Sequence, residues 1–122
     1  MKEILFRGKC KITDRWYEGD YVRFKGQDNT VSHYIYAEMN RYYNVEVYPE
    51  TVGMFAGYTD KNGTKIFEGD ILKTNFGDYL VVTFTNTQFT LKRKNGRACT
   101  WQCVNKYEVV GNIHDNPELV QI

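Results

Sequence analysis

The sequence predicts a mainly β protein: an antiparallel meander forming a small, partly open barrel or sandwich from two similar β units, with one or two short helical turns. Three observations carry this expectation. Tyr, Phe and Trp make up 16% of the 122 residues, and these side chains suit half-buried pleated surfaces. Apolar and polar residues alternate with period two through successive short segments. Gly-centred turn signals punctuate those segments at roughly nine-residue spacing, as in small barrels and sandwiches.

An internal echo organises the chain. Phe6-Arg-Gly8 precedes Trp16-Tyr17-Glu18-Gly19-Asp20-Tyr21-Val22, and Phe55-Ala-Gly57 precedes Ile66-Phe67-Glu68-Gly69-Asp70-Ile71-Leu72. The Phe-to-Glu interval is twelve residues in the first copy and thirteen in the second. Two copies are too few for a solenoid, which needs about three or more. They suit two packed β units, giving one domain over 1–122 that divides, if at all, into subdomains 1–50 and 51–122.

Each element has a local reason. Asp60-Lys61-Asn62-Gly63 tolerates the left-handed backbone of a tight turn, joining a strand at 53–58 to a short one at 64–67. In Glu18-Gly19-Asp20 and Glu68-Gly69-Asp70 the glycine supplies a conformation barred to residues with a Cβ. The Asp then bonds nearby amides, and a strand restarts at Tyr21 or Ile71. A meander follows at 71–76, 79–85, 88–94 and 97–104, broken by Gly77-Asp78, Asn86-Thr87 and Asn95-Gly96, and the segment 107–113 ends it. Asn116-Pro117-Glu118 carries the signals of a helix start, and 37–43 reads as a second short helix.

Composition narrows the function classes. The formal net charge is +1, which gives no broad basic field for a phosphate backbone. No run approaches the about 18 apolar residues of a membrane span, and the first residues are too short an apolar stretch for a signal peptide. A cytoplasmic, non-membrane protein is expected. Three cysteines are an odd set for a disulfide framework. Cys99 and Cys103, on a strand at 97–104, are expected about 13 Å apart, beyond bridging distance and reduced.

Candidate chemistry is sparse. Cys10, Cys99, Cys103, His33 and His114 lack zinc-ligand spacing, so neither a metal nor a cofactor is expected. Ser32 is the only serine and stands in no nucleophile motif. Phosphate-loop and dinucleotide fingerprints are missing too. The four acids Glu18, Asp20, Glu68 and Asp70 read as turn residues that occur twice because the unit does; an acid pair or hard-metal site is the competing reading. Lys92, Arg93, Lys94 and Arg97 cluster at a hairpin tip. With Phe89 and Trp101 near, they offer a nucleic-acid surface, against a solvated edge that resists aggregation. Tyr34, Tyr36, Met39, Tyr42 and Tyr43 crowd one segment, in the manner of a subunit interface or of an ordinary core.

Several motifs in order resemble the YopX family of small proteins encoded by bacteriophages and prophages. They are Met1-Lys-Glu-Ile-Leu-Phe-Arg-Gly8, Trp16-Tyr-Glu-Gly-Asp20, Pro49-Glu-Thr-Val-Gly53, Phe55-Ala-Gly57, Asp60-Lys-Asn-Gly63, Ile66-Phe-Glu-Gly-Asp-Ile71, Tyr107-Glu-Val-Val-Gly-Asn-Ile113 and Asn116-Pro-Glu-Leu119. The segments 24–47 and 75–105 match least. The resemblance implies a predominantly β, oligomeric, phage-borne protein of unknown molecular function inside a bacterial host, and it supplies no catalytic residues. The expectation is therefore a non-enzymatic binding or assembly protein, a homo-oligomer with a phage or host protein as a further partner. The alternative is a nucleic-acid-binding β-barrel using 92–97; an enzyme built on the turn acids stands third.

Overall fold

A computed structural model describes residues 3–39 and 41–120, apart from the side chains of 38–43. It is mainly β. The strands are β1 Phe6–Lys9, β2 Trp16–Lys25, β3 Val31–Met39, β4 Arg41–Glu46, β5 Gly53–Thr59, β6 Lys65–Phe67, β7 Asp70–Lys73, β8 Tyr79–Thr85, β9 Gln88–Arg93, β10 Ala98–Cys99 and β11 Glu108–Asn112. They form two antiparallel sheets, in the orders β4-β3-β2-β1-β5-β6 and β10-β9-β8-β7-β11. Among the described residues neither sheet closes into a barrel. Single 3-10 turns occur at Pro49–Thr51, Val104–Lys106 and Pro117–Leu119. The chain divides into two compact units, Met1–Met54 and Phe55–Ile122.

In the first unit β2 pairs with β1 through Phe6↔Gly19 and with β3 through Tyr21↔Ile35. Alternation then sends Ile35 and Ala37 to one face, where they bury with Val47 against Phe6, Tyr17, Tyr21 and Val52. Full burial of Ile35 or Val47 contributes about 1.5–3 kcal/mol each. Thr51 ties the 3-10 turn down: its Oγ1 accepts from Lys9 N at 2.9 Å and donates to Tyr48 O at 2.6 Å.

The second unit has a larger core of Ala56, Ile66, Leu72, Leu80, Val82, Leu91, Val104 and Tyr107. The register pairs Val82 with Leu91 and Leu80 with Arg93 on the core face. Val81 and Lys92 pair on the opposite face.

Four hairpin turns are built alike. At Gly26–Thr30, Asp60–Thr64, Thr74–Asp78 and Arg93–Arg97 the first residue's amide donates to the fifth residue's carbonyl. The fourth residue's amide donates back to the first residue's carbonyl, and that fourth residue is left-handed: Asn29, Gly63, Gly77 and Gly96 have φ of 67°, 80°, 90° and 85°. Asn and Gly are the residues that adopt this conformation at least cost. The fifth turn, Asn86-Thr87, is a two-residue connection with both φ positive, as the twist of the flanking strands demands.

The structure corrects four expectations. Glu18, Gly19 and Asp20 are not a corner; they lie inside the continuous strand β2. Gly19 is needed there because a Cβ would stand 2.1 Å from Tyr36 O of β3. The segment 37–43 is the end of β3 and the start of β4, not a helix; Asn40 lies outside the described residues. The strand expected at 97–104 stops at Cys99, and the chain turns into the 3-10 helix at Val104. Finally, Asn116 does not cap its turn; its Oδ1 accepts from Asn112 N at 3.2 Å instead.

Candidate functional site

Two surfaces gather the residues singled out in the sequence. The first is the face of the β2–β3 ribbon turned away from the first unit's core. Ile35 and Ala37 take the core face, so Tyr34 and Tyr36 take the other, and the register sets them across from Val22 and Asp20. Val22 is 38% exposed and Phe24 57% exposed on that same face, while Tyr34 and Tyr36 are half-buried. From Val22 to Lys25 every residue of β2 is exposed, including the oppositely directed Arg23. The strand therefore runs past the end of the core as part of a two-stranded ribbon. Met39, Tyr42 and Tyr43 belong to β3 and β4, but their side chains lie outside those described.

The second surface is a cleft of about 710 Å³ in the second unit, on the side of the sheet away from its core. The turn and end of β9 supply Lys92, Arg93 and Lys94; the turn before β8 supplies Asp78 and Tyr79. Glu118, Leu119 and Val120 after β11 form the remaining wall, with Val81 contributing apolar floor. The volume falls in the range of ordinary ligand pockets, about 300–1,000 Å³. Three cations and two acids line it, so its field is positive but mixed. Arg97 lies outside the lining; its amide donates to Asn95 Oδ1 at 2.9 Å and shapes the turn. Phe89 and Trp101, considered as stacking partners for the lysines, lie on the core face instead. There Trp101 Nε1 donates to Phe89 O at 3.2 Å and its ring stacks on Tyr58 at 4.5 Å. Tyr79 is the aromatic beside the lysines in the cleft.

The second Glu-Gly-Asp is a corner held on all sides. Gly69 has φ of 92°; its amide donates to Val82 O at 2.8 Å and its carbonyl accepts from Ile113 N at 2.9 Å. Asp70 is 1% exposed and accepts from Phe67 N at 2.8 Å, and Glu68 is half-buried beside it. Glu18 and Asp20 are exposed on β2. An acid that sequence reasoning passed over does more. Asp60 is 5% exposed, and Oδ1 accepts from Asn62 N and Thr64 N, both at 2.8 Å, while Oδ2 accepts from Val109 N at 2.9 Å. Burial pushes its carboxyl upward, but these three amides and the nearby Lys61 outweigh it and hold the pKa below the usual carboxylate value. The signal for it was Asp at the head of a Gly-ended turn.

The thiols are placed unevenly. Burial raises the Cys10 thiol, yet the Thr13 hydroxyl and the amides of Thr13 and Ile12 outweigh it and leave the pKa lowered. Cys99 is half-buried and Cys103 exposed; Arg93 Nη2 approaches Cys99 Sγ at 3.6 Å. Burial, then Cys99, then Cys103 push the Tyr107 hydroxyl up. His33 Nδ1 is 2.7 Å from the Tyr21 hydroxyl. Among the described residues no group of three His, Cys, Asp or Glu side chains is placed to hold a metal ion, and no helix is long and apolar enough to cross a membrane.

Together the fold and surfaces define a small antiparallel-β protein with an exposed aromatic ribbon and one mixed-charge cleft. The YopX protein family matches residues 5–121, so the chain belongs to that family. Among solved structures, it is similar to protein EF1440 from Enterococcus faecalis, with a TM-score of 0.61 at 20% identity over 99% of this chain and 100% of that one. This likeness is one of fold. No curated protein matches the chain.

Proposed function

We propose that this chain is a phage- or prophage-borne, non-enzymatic binding protein that works as a homo-oligomer through the outer face of its β2–β3 ribbon. The observation that carries the reading is the exposure of Val22 and Phe24 on the same face as Tyr34 and Tyr36. An isolated two-stranded ribbon is marginal in water, and exposed apolar side chains grouped on one face mark interaction surfaces. A second copy covering this face removes both costs. The buried, backbone-bonded state of Asp60 and Asp70 supports a structural rather than a catalytic use of the turn acids. Membership of the YopX family supports the phage origin and fits a cytoplasmic setting in the bacterial host, where a phage or host protein is the further partner.

Light scattering on the full chain tests this. The parent is expected to run at a multiple of its 14.4 kDa across micromolar concentrations. Val22→Thr combined with Phe24→Ser touches no core residue and removes the apolar anchors. Loss of such anchors costs about 2 kcal/mol or more of association, enough to shift the population toward monomer. A parent that stays monomeric, or a variant whose mass is unchanged, contradicts the reading.

A second reading is favoured by the cleft: Lys92, Arg93 and Lys94 line it, which suits single-stranded nucleic acid with Tyr79 as the stacking ring. Changing Lys92, Arg93, Lys94 and Arg97 together to Ala is then expected to weaken binding of a single-stranded oligonucleotide. For about three lost phosphate contacts the salt slope falls by about 2. Fluorescence anisotropy at several salt concentrations reads both quantities. Equal binding by parent and variant, or none by the parent at low salt, rules this use of the cleft out.

A further inference from the structure

The end of β10 and the turn after it bring two thiols toward one place. Extended strand would hold residues four apart at about 13 Å. Here the strand ends at Cys99 and the chain turns through 101–103, with Val104 N donating to Trp101 O at 3.1 Å. In such compact backbone, residues four apart stand about 6 Å from one another, inside the span a disulfide bridges. The surroundings agree. Cys99 packs against the core cluster that contains Val104 and Tyr107, and Cys103 is the residue immediately before Val104. Both thiols act on the Tyr107 hydroxyl, and the Arg93 guanidinium reaches Cys99 Sγ. One sulfur is therefore held against the core, and the other is open to solvent.

We propose that Cys99 and Cys103 form a reversible intrachain disulfide by exchange with a low-molecular-weight disulfide such as oxidised glutathione. The asymmetry sets the order of events. Exposed Cys103 loses its proton to solvent and its sulfur attacks glutathione disulfide, releasing one glutathione thiolate and leaving a mixed disulfide. Cys99 then gives up its proton and attacks the Cys103 sulfur, which expels the second glutathione thiolate and closes the ring. Two protein thiols lose two protons and two electrons, and one glutathione disulfide becomes two glutathiones. Thiol attack on a disulfide sulfur needs access as well as proximity; Cys103 has the access, and the turn supplies the proximity. Buried Cys10, in the other unit, takes no part.

The test treats the reduced full chain with oxidised glutathione and follows intact mass and peptide maps. The parent is expected to lose the mass of two hydrogens, with a peptide link between Cys99 and Cys103 that dithiothreitol reverses. Cys99→Ser is expected to stop at a persistent glutathione adduct on Cys103. Cys103→Ser is expected to react far more slowly, because the exposed entry sulfur is gone. Trp101 lies inside the ring that closes, so in a Trp16→Phe background its emission is expected to change with the parent's oxidation and not with that of either Ser variant. A parent that carries stable glutathione on both residues, links two chains, engages Cys10 or resists oxidation overturns the proposal.

Discussion

Asp60→Ala is expected to destabilise the second unit by about 3–5 kcal/mol. Three amides lose their acceptor at once, and hydrogen bonds to a charged group are worth about 1.5–3 kcal/mol each. The sum is cut because Asn62 and Thr64 are exposed and their amides regain water, whereas half-buried Val109 regains less. Asp60→Asn keeps an oxygen for the turn but points an N–H₂ at the amide of Val109, and is expected to cost about 2 kcal/mol. The pH dependence follows in sign. The carboxyl pKa is lowered in the folded chain, so its contribution is complete above the unfolded value of about 3.9 and is lost as pH falls through the folded one. Urea unfolding at neutral pH and in acid is therefore expected to show a smaller gap between parent and Asp60→Asn in acid. A gap that is constant or widens in acid contradicts the clasp.

Gly19→Ala is expected to cost about 3 kcal/mol or more, at the upper end for overpacking. The added methyl would meet Tyr36 O at 2.1 Å and Tyr36 C at 2.7 Å. These are backbone atoms of β3, which is paired to β2 on one side and β4 on the other, so neither can withdraw without breaking register. Gly63→Ala makes the comparison. It has φ of 80° and open space around it, so only the left-handed penalty of about 1 kcal/mol remains. Thermal melts of the two variants rank the two reasons for glycine directly. Equal losses would mean that the β2–β3 approach is looser than this geometry.

The two Glu-Gly-Asp copies show how far sequence reading reaches. Their letters agree, yet one is a tied corner at Gly69 and the other a straight stretch of β2 at Gly19. Both need glycine, the first for its φ and the second for a neighbour that is 17 residues away in sequence, and only the first reason is local. The alternation at 79–85 and 88–94 was legible because each strand there carries its own core face. Residues 37–43 were not, because Ala, Glu and Met favour a helix until pairing with β2 and across the β3–β4 hairpin decides otherwise. In the cleft, Lys92, Arg93 and Lys94 were readable as a local charge cluster. Asp78, Tyr79 and Glu118 were not readable as their neighbours, since register and the return of β11 bring them together. The clasp of Asp60 on Val109, 49 residues on, left no trace beyond a turn-forming Asp.

Backbone amide exchange of residues 21–25 on serial dilution of the full chain tests the ribbon most directly. If copies cover one another through the outer face of β2 and β3, protection there is greatest when concentrated and falls on dilution, while the buried strands β7 and β8 exchange unchanged. Exchange at 21–25 that is indifferent to concentration would mean that the ribbon stands alone in water and that its aromatic face serves no second copy.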